Sequence, residues 1–303
     1  MTALANAPRP KATTTNARPD RPTGARFWRE VGWRYLVAFV VIVICVIPLL
    51  FVLSASFRPG GTLAGTKELF QTFSLANYAE LDDRHFWSWL QNSIIVCTVT
   101  AVGSVLMCAA AAYAFSRFRF KGRESGLTGL LMAQMFPQVL SFVAIFLLLL
   151  AISDVFPALG LDSLLGLICV YLGGALGVNT FLMYGFFNTV PRELDEAAKI
   201  DGATHAQIFW GIILRLVAPI LAVVGLLSFI SSFGDFLIAK VVLQHQDTWT
   251  VAVGLYTLSA DERTAPWGVF AAGAVIAAVP VVLLFLSLQK YIVGGLTAGS
   301  VKG

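Results

Sequence analysis

The chain has 303 residues, 57% of them apolar and only 13% charged, with a formal net charge of +4. A soluble globular domain carries about 25% charge, so this composition excludes a water-soluble core and means the chain must be counted in membrane spans. Cys45, Cys97, Cys108 and Cys169 lie inside the apolar blocks at no metal-ligand spacing, and His85, His205 and His245 are far apart, so neither a disulfide framework nor a zinc site is indicated.

Residues 1–34 are rich in Pro, Thr, Ala and Arg and poor in large apolar groups, which predicts a disordered basic tail. The apolar run behind it, 35–57, is too long for a signal-peptide core and reads as an uncleaved anchor. A helix needs about 20 apolar residues to cross the roughly 30 Å hydrocarbon layer. Six segments qualify: 35–57, 90–115, 127–152, 164–187, 216–239 and 267–288. Between the first two, Gly60 to Lys67 looks superficially like a nucleotide-binding loop, but it ends Gly65-Thr66-Lys67 where Gly-Lys-Thr is required, and no strand precedes it. In the third, Pro137 removes a backbone donor and is expected to kink the helix.

Direction follows from the basic residues. With the amino terminus in the cytoplasm, 16 of the 21 Lys and Arg side chains fall on the inside and only Arg58, Lys67, Arg84, Lys240 and Arg263 on the outside. That bias predicts two cytoplasmic termini flanking a six-helix permease domain over 35–290, with a short cytoplasmic tail over 291–303. It also accounts for the positive charge through membrane orientation, with no nucleic acid involved.

Proton-coupled and voltage-sensing proteins carry ionisable groups at bilayer depth. Here Asp235 is the single acidic residue inside a span, near its end, and a structural or interface role is favoured for it over a transport-site role. Asn92, Gln134, Gln138 and Asn179 are neutral and suit interhelical hydrogen bonds. No polar cluster proposes an enzyme.

The informative loop is 188–215, which reads as two short helices with a break. Pro191 suits a first helical position, Glu193, Asp195 and Glu196 favour the positive end of the helix dipole, and Gly202 can adopt a left-handed stop. Thr204 with Gln207 three residues on is a capping-box signal. Leu194, Ala197, Ala198 and Asp201 share one face, and Asp195 and Lys199 stand one turn apart at ion-pair spacing. Pattern alone fits both an amphipathic helix lying on lipid headgroups and a surface on which another protein docks.

Glu196-Ala197-Ala198, then Gly202, then Ile213-Leu214 resemble the EAA loop of ABC importer permeases, and the likeness runs over nearly the whole chain beyond the amino-terminal tail. Met135-Phe136-Pro137, Tyr171-Leu172-Gly173-Gly174, 218–224 and 295–303 are similar to the smaller permease of maltose-type carbohydrate importers. The resemblance implies an all-α integral membrane protein with the six-helix type I ABC importer permease fold, set in the inner membrane of a bacterium. It further implies a second homologous permease, two ATPase subunits that hold ATP and Mg, an extracytoplasmic sugar-binding protein, and no cofactor on this chain. Glu196, Ala197, Ala198, Asp201 and Gly202 would form the ATPase-coupling helix, Tyr256, Asp261 and Trp267 a binding-protein-facing loop, and Leu296, Thr297 and Gly299 an ATPase-facing tail. The implied cargo is maltose, maltodextrin or a related α-glucoside. Trehalose or glycerol phosphate importers share the same features, whereas an ion-coupled secondary transporter fits less well. One departure stands out: the family usually has proline after Ile-Leu, where this chain has Arg215 with Pro219 beyond, so the helix entering the fifth span is expected to run straighter.

Overall fold

A computed structural model describes residues 24, 28–59, 69–70, 72–260 and 265–298, the last seven by backbone alone. It falls into two compact units, Met1–Phe51 and Val52–Gly303. The described part of the first is almost entirely the start of α1, Trp33–Ser56, whose apolar side chains are exposed nearly all round. A helix apolar on every face belongs in lipid or a large core.

In the second unit the central element is α2, Phe86–Arg117. It is followed by α3, Arg123–Ala133, α4, Phe142–Ser153, α5, Leu164–Ala175, and α6, Gly177–Phe187. The loop helix α7, Glu193–Ile200, precedes α8, Ala218–Gly234, and α9, Leu237–Val242. Helices α10, Val251–Ser259, and α11, Trp267–Ala298, complete the described part of the unit. Helix α2 packs against α5, α6 and α8, and α8 in turn against α11.

Among the described residues, three helices are individually long and apolar enough to cross a membrane, and three bent pairs bring the number to six when each counts as one span. The first, second and sixth expected spans are therefore continuous, but the third, fourth and fifth are not. The third turns by 87° between Arg123–Ala133 and Gln138–Ser153, so Pro137 marks a break far sharper than a kink. The fourth turns by 52° at Leu176, a break that no proline announces. It is held by Gln134, which donates from Nε2 to Gly174 O (2.9 Å) and accepts at Oε1 from Val178 N–H (3.2 Å). Gly177 permits that approach, because a Cβ there would meet the Gln134 amide carbon at 2.1 Å.

The fifth corrects an expectation. His205–Leu216 and Ala218–Gly234 meet at 81°, so the entry is not straighter for lacking proline after Leu214. Pro219, in the first turn of α8, cannot donate to the preceding turn and relocates the break to Val217. Asn92 serves as expected of a neutral amide, tying α2 to the approach to α10 through Asp247 O (2.8 Å) and Trp249 O (3.1 Å).

Candidate functional site

Helix α7 begins with Glu193, Asp195 and Glu196 in its first turn, where acidic groups meet the positive end of the dipole. Pro191 stands ahead of the helix instead of at its first position, and Arg192 occupies the cap. The stop is a full Schellman motif. Gly202 adopts φ +85°, its N–H donates to Lys199 O (3.0 Å), and Ala203 N–H reaches back to Ala198 O (2.9 Å). Thr204 and Gln207 form the expected capping box at the next helix start.

The orientation of α7 is set by a contact that local spacing did not signal. Asp195 does not pair with Lys199. Its Oδ2 lies 2.6 Å from Arg117 Nε at the end of α2, with the two side chains only 8% and 5% exposed. The contact is an ion pair without an aligned hydrogen bond, and Asp195 Oδ1 has no hydrogen-bond partner among the described residues. Around it, Arg117 Nη2 donates to Val190 O (3.0 Å), Arg192 Nη2 to Ser116 O (2.9 Å), and Ser116 Oγ to Asn188 Oδ1 (2.8 Å). Ala198 is buried in the same apolar cluster as Cys108, Met183, Phe187 and Ile213. Helix α7 is thus fastened to the end of α2 by charge on one side and packing on the other.

With Asp195 and Ala198 turned inward, the outer face carries Leu194, Glu196, Ala197, Asp201 and Gly202, together with Ile200 at 87% exposure. Four of the five residues expected in the coupling helix therefore face outward, and Ala198 serves as the inward anchor. A Cβ at Gly202 would meet nothing within 4 Å, so the chain itself leaves room there. The outer face is mixed apolar and acidic, small at its centre and rigidly backed, which suits reception of another protein.

The other expected contact regions are less complete. Tyr256 lies within α10, against Phe236 with ring centroids 4.0 Å apart, and Trp267 opens α11, so these two bracket the expected loop from helices. Asp261 lies outside the described residues, as do Gly299 and the first 23 positions of the tail. Leu296 and Thr297 fall in the last turns of α11. Asp162 joins the turn before α5 to the turn after α9. Burial alone raises its carboxyl, but the His245 N–H, the Thr248 hydroxyl, the Gln244 N–H and the His245 ring together hold it below the ordinary carboxylate value.

A cavity of about 690 Å³ opens where three interruptions converge: the Pro137 break, the Leu176 break and the Gly234–Asp235 end of α8. Asp235 Oδ1 there accepts from Tyr171 Oη (2.9 Å) and from the N–H groups of Ile238 (3.0 Å) and Ala239 (3.1 Å). The structural role expected of Asp235 is present, and the same residue also lines the cavity.

Residues 104–297 match the family model described as the binding-protein-dependent transport system inner membrane component. The galactooligosaccharide transport permease GanQ of Bacillus subtilis is 40% identical over 282 residues, covering 92% of this chain and 97% of that one. The maltodextrin transport permease MdxG of the same organism is 38% identical, covering 89% and 95%. The maltose/maltodextrin permease MalG of Photorhabdus laumondii is 38% identical, covering 91% and 97%. A crystal structure of a bacterial ABC transporter that imports the acidic polysaccharide alginate superposes with a TM-score of 0.73 at 25% identity, covering 89% of this chain and 99% of that one.

Proposed function

Because the chain belongs to the family of binding-protein-dependent transport inner membrane components and is a permease subunit of an ABC sugar importer with the type I fold, we propose that it carries maltodextrin or a related α-glucoside and is worked through α7 by a separate ATPase. The observation that carries this reading is the rigid mounting of α7. A helix that receives force must pass it on, and the Arg117–Asp195 pair at 2.6 Å joins α7 to α2, on which α5, α6 and α8 pack.

In this reading both termini and α7 lie in the cytoplasm of a bacterium, on the inner side of its inner membrane, which the distribution of Lys and Arg supports. One six-helix chain is half of a pore, so a homologous permease completes it, two ATPases bind ATP and Mg, and an extracytoplasmic binding protein delivers sugar near α10 and α11. Closure of the ATPases draws both loop helices together and rocks the bundles outward, so differential binding of the two conformations supplies the work. Glu196, Ala197 and Gly202 form the docked face, and Leu296, Thr297 and Gly299 belong to a tail that meets the ATPases. The 40% identity to a galactooligosaccharide permease favours a second reading, a galactoside cargo within the same mechanism.

Uptake into vesicles loaded with ATP, with and without an ion gradient, tests the reading. Radiolabelled maltotriose is expected to accumulate only with internal ATP and the binding protein outside. Accumulation driven by the gradient alone refutes it.

A further inference from the structure

We propose that the cavity at the three converging helix breaks is a saccharide subsite belonging to this chain, selective for a neutral sugar over a uronate. The inference rests on the sugar-importer reading and adds to it a location and a charge class.

Broken backbone at membrane depth persists only where protein or a polar cavity satisfies the freed groups, and interrupted helices that converge on one point commonly frame a transported solute. Here the residues flanking Pro137, those flanking Leu176 and the end of α8 meet around one space of about 690 Å³. That lies within the roughly 300–1,000 Å³ of small-molecule sites and far above one water.

The lining chemistry narrows the ligand. Ser141 and Ser231, neither of them buried, line the space, and their hydroxyls make no hydrogen bond among the described residues. Asp235 spends Oδ1 on three donors, while Oδ2 accepts no hydrogen bond from the described residues. The side chains of Gln138 and Asn179 also line the space without hydrogen bonds among the described residues. Hydroxyls and amides both donate and accept, as sugar hydroxyls do, and the rings of Tyr171 and Phe136 add apolar surface. The lining holds one carboxylate and no Lys, Arg or His. A uronate placed there meets Asp235 with no cation among the lining residues to compensate, and like charges at close range repel. A neutral sugar meets no such repulsion.

Cysteine protection in the assembled importer tests this. Ser231 lines the cavity, is exposed, and makes no hydrogen bond among the described residues. Ser231→Cys, in a chain whose exposed Cys45 and Cys169 are replaced by alanine, is treated with a charged methanethiosulfonate while ATP and the binding protein are present. Labelling is expected to slow at least about fivefold with maltotriose and to be unchanged by a uronate trisaccharide. Protection by galactotriose but not maltotriose supports the site and overturns the maltodextrin reading. Labelling unaffected by any sugar identifies a water-filled vestibule and overturns the proposal, as does equal protection by the uronate or no labelling at all. Independently, Asn179→Leu removes a lining amide that is only partly buried and is expected to lower maltotriose uptake at least about tenfold in a complex that still co-purifies with its ATPase. Normal uptake by that variant overturns the subsite. Absence of ATP-driven uptake by the unmodified complex refutes the importer reading, whatever the labelling shows.

Discussion

Asp195→Asn keeps the shape of the side chain and removes its charge. Arg117, at 5% exposure, then remains buried opposite a neutral amide. Removing one partner of a buried ion pair costs about 3–5 kcal/mol. The amide retains dipolar attraction, so the lower end, about 3 kcal/mol, is expected here, and at about 1.4 kcal/mol per tenfold this lowers the docked-to-undocked ratio of α7 roughly 100-fold. The backbone N–H groups of Asp201, Gly202 and Ala203, which bond within the α7 terminus at 3.1, 3.0 and 2.9 Å, report the loss. Their hydrogen exchange is expected to accelerate by up to about 100-fold, while Gly254 N–H, bonded to Thr250 O in the remote α10, does not change. Sugar transported per ATP hydrolysed falls with it. Replacing both partners, Arg117→Met with Asp195→Leu, leaves no buried charge and is expected to restore protection. Unaltered exchange in Asp195→Asn refutes the claim that this pair holds α7.

Gly202→Trp is expected to abolish coupling of ATP hydrolysis to uptake. Gly202→Ala, which carries only the left-handed strain of about 1–2 kcal/mol, is expected to retain most uptake, because the chain leaves space at that Cβ; equal loss in both, measured in vesicles, points to strain instead of a docking clash. The lowered carboxyl of Asp162 contributes stability that is present above the unfolded carboxylate value and lost as pH falls through the folded one. The stability gap between the natural protein and Asp162→Asn, followed by thermal unfolding in detergent, is therefore expected to close as pH falls below about 4, and a gap constant with pH contradicts it. Gly254→Ala drives a Cβ to 2.0 Å from the buried Trp89 ring. It is expected to destabilise by about 1–3 kcal/mol, and an unchanged melting temperature shows that the ring yields.

What the sequence disclosed and what it hid divide along the range of the interactions. Long apolar runs fix the existence of spans because lipid demands them, and the caps at Gly202 and Thr204 were readable because each is closed by residues within one turn. Pro137 announced an interruption but not its 87°, since the angle depends on what receives the freed groups. The break at Leu176 carried only the weak signal of nearby glycines; its brace, Gln134, comes from another span. The spacing of Asp195 and Lys199 suggested a surface pair, yet such pairs contribute only a few tenths of a kcal/mol, and Arg117 on another helix takes the carboxylate instead. The clue was a basic residue ending one span and facing an acidic loop helix, which spacing rules do not score. The cavity was invisible for the same reason, as its hydroxyls come from helices that only the fold brings together.

The most direct measurement is site-directed crosslinking from Ala197→Cys, on the outer face of α7, in inside-out membrane vesicles. The account predicts a crosslink to a nucleotide-hydrolysing subunit whose yield changes between ATP-bound and nucleotide-free states. A cysteine there that reacts only with reagents applied from the opposite side of the membrane, or that captures no such subunit in either state, contradicts it.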